Sequence, residues 1–376
     1  MKKKRVAILG STGSIGTQAL DVIAAHRDRF EVVGLAAGRN VALLREQRKR
    51  FDPEVATSAD DGPAGLLRVA IETRPDVVLA ATDGAVAFDA VLAAIERGTD
   101  VAVANKELIV AAGEVMLAAA ARSGSALLPV DSEHSALFQC LVGEDPAAVA
   151  AIVLTASGGP FRTATAAEMA EATLERALAH PTWRMGTKNT IDSATMMNKG
   201  FEIIEACRLF DLPPAQVRVT VHPQSTVHSL VEFIDGSILA QISVTDMRLP
   251  ILYALAYPER LDATPAPGLA FDLSTLSQLD FAPPDLARFP CLRLAYEAAE
   301  AGPAAAIVLN AADEIAVAAF LEGRIPFLGI PRTIEEVLGE TSAYAPASIK
   351  DVLAADQAAR ELARKVIATV APQYAV

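Results

Sequence analysis

The chain has 376 residues, of which 52% are hydrophobic and 21% charged, and its formal net charge is -13. That length exceeds what one core supports, so two or three domains are expected, and the apolar content excludes a disordered chain. The acidic balance argues against nucleic acid or an anionic membrane surface as partner, so phosphate recognition should be local and directed at a small molecule.

Lys2, Lys3, Lys4 and Arg5 precede Val6-Ala7-Ile8-Leu9, but this apolar run stops at Gly10, too early for a secretory segment. A basic lead-in to a first strand is the better reading. No apolar run approaches the ~20 residues that span a bilayer. Cys140, Cys207 and Cys291 are scattered without metal or disulfide spacing, which points to a reducing, cytoplasmic setting.

Strand-like runs at 5–9, 31–37, 76–81, 100–104 and 126–130 alternate with Ala-rich helical stretches. The alternation predicts an α/β, Rossmann-like, doubly wound parallel sheet over 1–131. Its first turn, Gly10-Ser11-Thr12-Gly13-Ser14-Ile15-Gly16, leads into a helix near Ser14. Glycines there admit a pyrophosphate and the helix N-terminus favours its charge, although the spacing is GxxGxxG and a plain βα turn is the bland alternative. After the second strand stands Gly38-Arg39-Asn40, not the acidic residue that would suit NAD. A guanidinium matches a 2'-phosphate, so NADP is preferred, against the alternative of a solvated surface arginine. Asn105-Lys106-Glu107 lies at the carboxyl edge of the sheet; Lys106 is suited to a substrate oxygen, and Asn105 and Glu107 to the nicotinamide ribose, unless they are ordinary helix-start residues.

Asp131-Ser132-Glu133-His134 follows the run 126–130. If strand geometry persists, Asp131 and Glu133 share a face and can converge on one cation. Beyond it, Ser157-Gly158-Gly159-Pro160 is suited to present N–H groups and a hydroxyl to an anion, or is simply a turn. Thr165 and Glu168 read as a capping box. The loop 180–186 holds the only tryptophan, Trp183, beside Met185, and reads as a lid or as a core-packing loop. A helix capped by Asp192 and running to Leu209 is expected to carry Thr195, Asn198, Lys199, Glu202 and Glu205 on one polar stripe. Asn198, Lys199 and Glu202 can address one ligand, whereas a solvated stripe fits poorly with the wide apolar surround.

Strands are expected at 217–221, 227–233 and 237–244, the last two joined at Asp235-Gly236, giving an α+β catalytic domain over 132–257. His222 and His228 read as structural histidines. Six prolines between Pro258 and Pro290 mark a linker over 258–283, and 284–376 should be an all-α module.

Asp131, Glu133 and Glu202 form an all-oxygen set that suits Mg2+ or Mn2+ better than zinc. Beside NADPH, such an ion can polarise a hydroxy-ketone before hydride delivery, with Ser157, Ser193, Asn198 and Lys199 on a phosphate tail. The glycine turn, Ala104-Asn105-Lys106-Glu107, Val130-Asp131-Ser132-Glu133-His134, Ser157-Gly158-Gly159-Pro160-Phe161, His180-Pro181-Thr182-Trp183, Met196-Met197-Asn198-Lys199-Gly200 and His222-Pro223-Gln224-Ser225 together resemble the 1-deoxy-D-xylulose 5-phosphate reductoisomerase family over essentially the whole chain.

The resemblance implies conversion of 1-deoxy-D-xylulose 5-phosphate and NADPH to 2-C-methyl-D-erythritol 4-phosphate, in non-mevalonate isoprenoid biosynthesis. It implies Asp131, Glu133 and Glu202 as ligands of one divalent cation per subunit, with Lys106 joining them in catalysis. Lys106, Ser132, Glu133, Ser157, His180, Ser193, Asn198, Lys199 and Glu202 match substrate contacts. Thr12, Gly13, Ser14, Ile15, Gly38, Arg39, Asn40, Asn105, Glu107 and Gly186 match NADPH positions, and Trp183 and Met185 a lid. A homodimer is also implied. Ser135 departs from the Asn common after the histidine, at a position that is not a ligand. Two other classes compete: a semialdehyde dehydrogenase using Cys140, which lacks an evident base, and an NADP-sensing module, for which the acidic trio would be costly.

Overall fold

The computed structural model describes residues 2–183, 186–340 and 344–370, which fall into two compact units. Strand runs of the first unit become β1 Lys4–Leu9, β2 Phe30–Ala36, β3 Val55–Thr57, β4 Val77–Ala80, β5 Asp100–Val103 and β6 Leu127–Pro129. They form one parallel sheet in the order β3-β2-β1-β4-β5-β6. Only β3 was not anticipated; three residues are too few to show a pattern. The order reverses between β1 and β4, the switch point at which doubly wound sheets bind ligands beyond their strand ends.

Ile242–Thr275 returns to this unit. Its Arg248–Ala256 helix buries Ile251, Leu252, Ala254 and Leu255 in the core that holds Val6, Leu79 and Leu128. Lys4 Nζ donates to the Tyr257 carbonyl at 3.2 Å, joining the basic lead-in to the same segment.

The second unit contains β7 Val149–Ala156, β8 Val217–Val221, β9 Val227–Phe233 and β10 Ile238–Ile242, in the order β10-β9-β7-β8. β7 runs parallel to β8 and antiparallel to β9. The Asp235-Gly236 turn joins β9 to β10 with Gly236 at φ 86°, a left-handed conformation that costs glycine little. Helices Pro290–Ala301, Pro303–Leu321, Gly329–Gly339 and Ile349–Val370 make up the C-terminal part.

Two expectations are corrected. Pro303–Leu321 is, by length and composition, long and apolar enough to cross a membrane, but it is mostly buried as the central helix of this unit. Asn310 and Asp313 break the apolar run in sequence, yet both are buried along it. The helix expected from Asp192 to Leu209 is two helices, Thr187–Thr195 and Met197–Leu209, separated by Met196 at φ 62°. Thr195 Oγ1 accepts the Met197 N–H at 3.2 Å, a side-chain bond that competes with the helical ladder at the break. Asp192 therefore sits inside a helix and is not a cap.

Candidate active site

In the first unit, Gly10 has φ 93°, and a Cβ there would lie 2.2 Å from the Ala81 carbonyl oxygen. The β1 turn can close against the end of β4 only as glycine. Gly13 then caps Ser14–Ala25 without a side chain, leaving Thr12, Gly13, Ser14 and Ile15 around a helix N-terminus suited to an anion. Gly38, Arg39 and Asn40 are exposed at the end of β2. Asn40 also accepts the Leu43 N–H at 3.2 Å, capping Val41–Phe51.

Asn105 is 3% exposed and joins two loops. Its Oδ1 accepts the Leu108 N–H at 2.7 Å, while Nδ2 donates to the Thr82 and Gly84 carbonyls at 2.7 and 2.9 Å. These bonds set the start of the Lys106–Ser123 helix, and with it the half-buried Lys106 and Glu107.

Asp131 and Glu133 do not share a strand face. β6 ends at Pro129; Asp131 is the cap residue of Ser132–Leu141 and Glu133 lies in that helix's first turn. β6 pairs with β5 through three residues only, so strand geometry is not enforced further. The helix N-terminus supplies a different reason for two acids there, because its dipole favours negative charge. Lys106 Nζ is ion-paired with Asp131 Oδ2, and the fully buried His134 places Nδ1 3.3 Å from the same oxygen. Burial alone would raise the Asp131 carboxyl, but the Lys106 ammonium and His134 outweigh it and hold it far below the usual carboxylate range. Ser132 Oγ donates to Glu133 Oε2 at 2.5 Å. His134 belongs to the motif, but its burial, which marks it as a partner of Asp131, is not visible in sequence.

In the second unit, Ser157 Oγ lies 3.2 Å from His180 Nε2 and accepts the Gly159 N–H at 3.2 Å. Gly158 and Gly159 have φ of 80° and 62°, and a Cβ at 159 would meet the Ser193 carbonyl oxygen at 2.5 Å. Ser157, His180 and Ser193 are thus brought to one neighbourhood by glycine turns. Trp183 and His228 have ring centroids 6.5 Å apart; Met185 lies outside the described residues. Gly186 caps Thr187–Thr195.

On the Met197–Leu209 helix, Asn198 Nδ2 donates to Glu202 Oε1 at 2.5 Å and Lys199 Nζ pairs with Glu202 Oε2. Lys199 and Glu202 are 4% and 1% exposed, so the stripe is not a solvated face. Glu205 on the same stripe is buried too. His222 is structural: Nδ1 lies 2.8 Å from the Asp280 carbonyl and Nε2 accepts the Val227 N–H at 3.2 Å. Burial raises the Cys140 thiol, which disfavours the thiolate a semialdehyde dehydrogenase would need.

The sheet order, the glycine turn at its switch point and the ionised carboxylate beside an ammonium define a dinucleotide-dependent oxidoreductase. Profiles described as 1-deoxy-D-xylulose 5-phosphate reductoisomerase match residues 6–68 and 56–113; C-terminal domain profiles of the same enzyme match 127–210 and 242–362. Proteins of that name from Anaeromyxobacter sp. (strain K) and Solibacter usitatus are 50% and 46% identical, each covering 96% of this chain and 97% of its own length. A structure of the Zymomonas mobilis enzyme in complex with NADPH has 44% identity and a TM-score of 0.90 over 97% of this chain and 99% of its own. One of a DOX-P reductoisomerase with NADPH, fosmidomycin and magnesium has 38% identity and a TM-score of 0.91 over 97% and 98%. The chain belongs to the 1-deoxy-D-xylulose 5-phosphate reductoisomerase family.

Proposed function

We propose that the chain rearranges and reduces 1-deoxy-D-xylulose 5-phosphate to 2-C-methyl-D-erythritol 4-phosphate with NADPH and a divalent cation, Mg2+ or Mn2+. The observation that carries this reading is Asp131, a carboxylate kept ionised by Lys106 at the head of a helix beside the switch-point sheet. With Glu133 and Glu202 it supplies an oxygen-only donor set, which fits a hard cation. When bound, the ion supplies Lewis acidity at the substrate's hydroxy-ketone oxygens and NADPH supplies the hydride.

The chain's own residues bind and orient. Lys106 holds Asp131 ionised and offers its ammonium to a substrate oxygen. Ser132 fixes the Glu133 carboxylate. Ser157, His180, Ser193, Asn198 and Lys199 receive the phosphate end, with the Lys199 ammonium held by Glu202. Thr12, Gly13, Ser14 and Ile15 receive the pyrophosphate of NADPH, Gly38, Arg39 and Asn40 its 2'-phosphate, and Asn105, Glu107 and Gly186 the nicotinamide half. Trp183 and Met185 cover the bound substrate and exclude water.

The enzyme works as a cytoplasmic homodimer. What supports a second copy as partner is the β10 edge, where Ile238 and Leu239 are 55% and 42% exposed beside Ile234 at 73%.

The test is NADPH oxidation, followed by absorbance, with purified protein and 1-deoxy-D-xylulose 5-phosphate, with added Mg2+ or Mn2+ and again after chelation. Consumption that needs both substrate and metal is expected. Folded, NADPH-binding protein that consumes none under any condition overturns the reading.

A further inference from the structure

Lys188 holds its ammonium between two carboxyl groups to which no role has been assigned. Nζ lies 2.7 Å from Asp192 Oδ2 and 2.8 Å from Asp313 Oδ2. Asp192 is 2% exposed and Asp313 fully buried, while the lysine side chain keeps 27%. Burial pushes the Asp313 carboxyl up, against the pull of Lys188, and neighbouring Glu314 adds to the rise. Lys188 thus offers one ammonium to two buried carboxyl groups from different helices, which ties the three into one cluster.

The surroundings enclose the cluster. The Phe201 ring lies 4.7 Å from Lys188 Nζ. Cys291, fully buried, is a thiol pushed well above its ordinary value by burial and by Asp313. Glu314 turns to Arg360 at 2.8 Å.

The cluster sits at a joint. Lys188 is in the first turn of Thr187–Thr195, just beyond Gly186, and Asp192 immediately precedes Ser193, whose carbonyl packs against Gly159. Asp313 comes from Pro303–Leu321, a helix that supplies no proposed substrate contact. A solvated lysine needs one carboxylate at most; the second, buried and from another helix, makes a three-point lock. We propose that Asp313, through the Lys188 ammonium it shares with Asp192, is a positioning residue that fixes the Thr187–Thr195 helix so that Ser193 meets the substrate phosphate. This rests on Ser193 being a phosphate contact.

The test is steady-state kinetics of the full chain with metal, NADPH and 1-deoxy-D-xylulose 5-phosphate. Ser193→Ala is included to check the contact itself. Asp313→Ala should raise KM for the sugar phosphate about tenfold, the scale of a small misplacement, with KM for NADPH within about twofold. Asp313→Asn, whose amide oxygen still accepts from Lys188 Nζ, should restore most of the loss. Lys188→Met, at a partly exposed position, is the second arm if Asp313→Ala does not fold, and should raise the same KM. An unchanged sugar-phosphate KM in Lys188→Met and in soluble Asp313→Ala overturns the proposal, as does an Asp313→Asn defect as large as that of Asp313→Ala. If Ser193→Ala itself leaves that KM unchanged, the phosphate reading of Ser193 fails and the proposal with it.

Discussion

The Nδ1 atom of His180 accepts the backbone N–H of Trp183 at 2.8 Å, and that of Thr182 at 3.1 Å. An imidazole accepting at Nδ1 carries its proton on Nε2, so it donates to Ser157 Oγ at 3.2 Å. Burial lowers the His180 pKa, which keeps the ring neutral. The ring therefore ties the Trp183 loop to the phosphate-side serine only in its uncharged form. Protonating Nδ1 abolishes both acceptor bonds.

From this, substrate affinity should weaken on the acid side. The folded value lies below the ordinary ~6.5, so the tie is fully present above pH ~6.5 and is lost as pH falls through the lower folded value. Thermal unfolding of wild type and His180→Phe from pH 8 to 5 should show a stability difference that shrinks as the pH drops. A difference that does not vary with pH would falsify the neutral-ring assignment.

Lys106 is the group on which the ionisation of Asp131 most depends. Without it, the carboxylate is left largely buried beside His134 alone. Lys106→Met should destabilise metal-free protein by about 3 kcal/mol at pH 7, the usual scale for removing one partner of a buried pair. Because the folded Asp131 pKa is depressed, the wild-type advantage is present above the ordinary carboxylate value of ~3.9 and narrows as pH falls below it. Urea unfolding in chelator across that range measures both quantities. Turnover should fall by about 100-fold or more, since the same ammonium is assigned to a substrate oxygen.

Glu202 is bonded by Asn198 and Lys199 at once, which fixes where its carboxylate charge sits. Glu202→Gln keeps the shape, but turns one oxygen into an amide donor facing an ammonium. It should largely abolish turnover and weaken the response to added Mg2+, with NADPH affinity changed by no more than about twofold, because the cofactor turn is unaltered. Turnover equal to wild type would remove Glu202 from the ligand set.

How much of this was visible beforehand depends on the range of each interaction. The strands with Val6, Val32, Val77, Val101 and Leu128 were legible because a sheet buried on both faces leaves continuous apolar runs. The Asp131 motif was legible as acidic chemistry but not as geometry: three paired residues end β6, and a helix cap replaces the strand face. The break at Met196 was hidden, since nothing in a Thr-Met-Met run announces a left-handed residue. Long-range pairs were out of reach altogether. Lys188 and Asp313 are 125 positions apart, and only the packing of the helical part makes them neighbours.

Arg39 stands exposed after β2, next to Gly38, around which a Cβ would meet nothing within 4 Å. Space for a ligand group is therefore present, and Asn40 beside it is occupied as a helix cap. A guanidinium there favours a 2'-phosphate by charge and by its fork of donors, whereas the two hydroxyls of NADH gain nothing from it. Arg39→Ala should raise KM for NADPH about tenfold at low salt, leave that for NADH nearly unchanged, and so narrow the preference between them. Added salt should shrink the wild-type preference, because an exposed charge pair is screened within a Debye length of about 8 Å at physiological strength. Parallel titrations of both cofactors, at low and at high salt, decide it; an unaltered ratio in the variant would assign the reading of the 2'-phosphate to other groups of the turn.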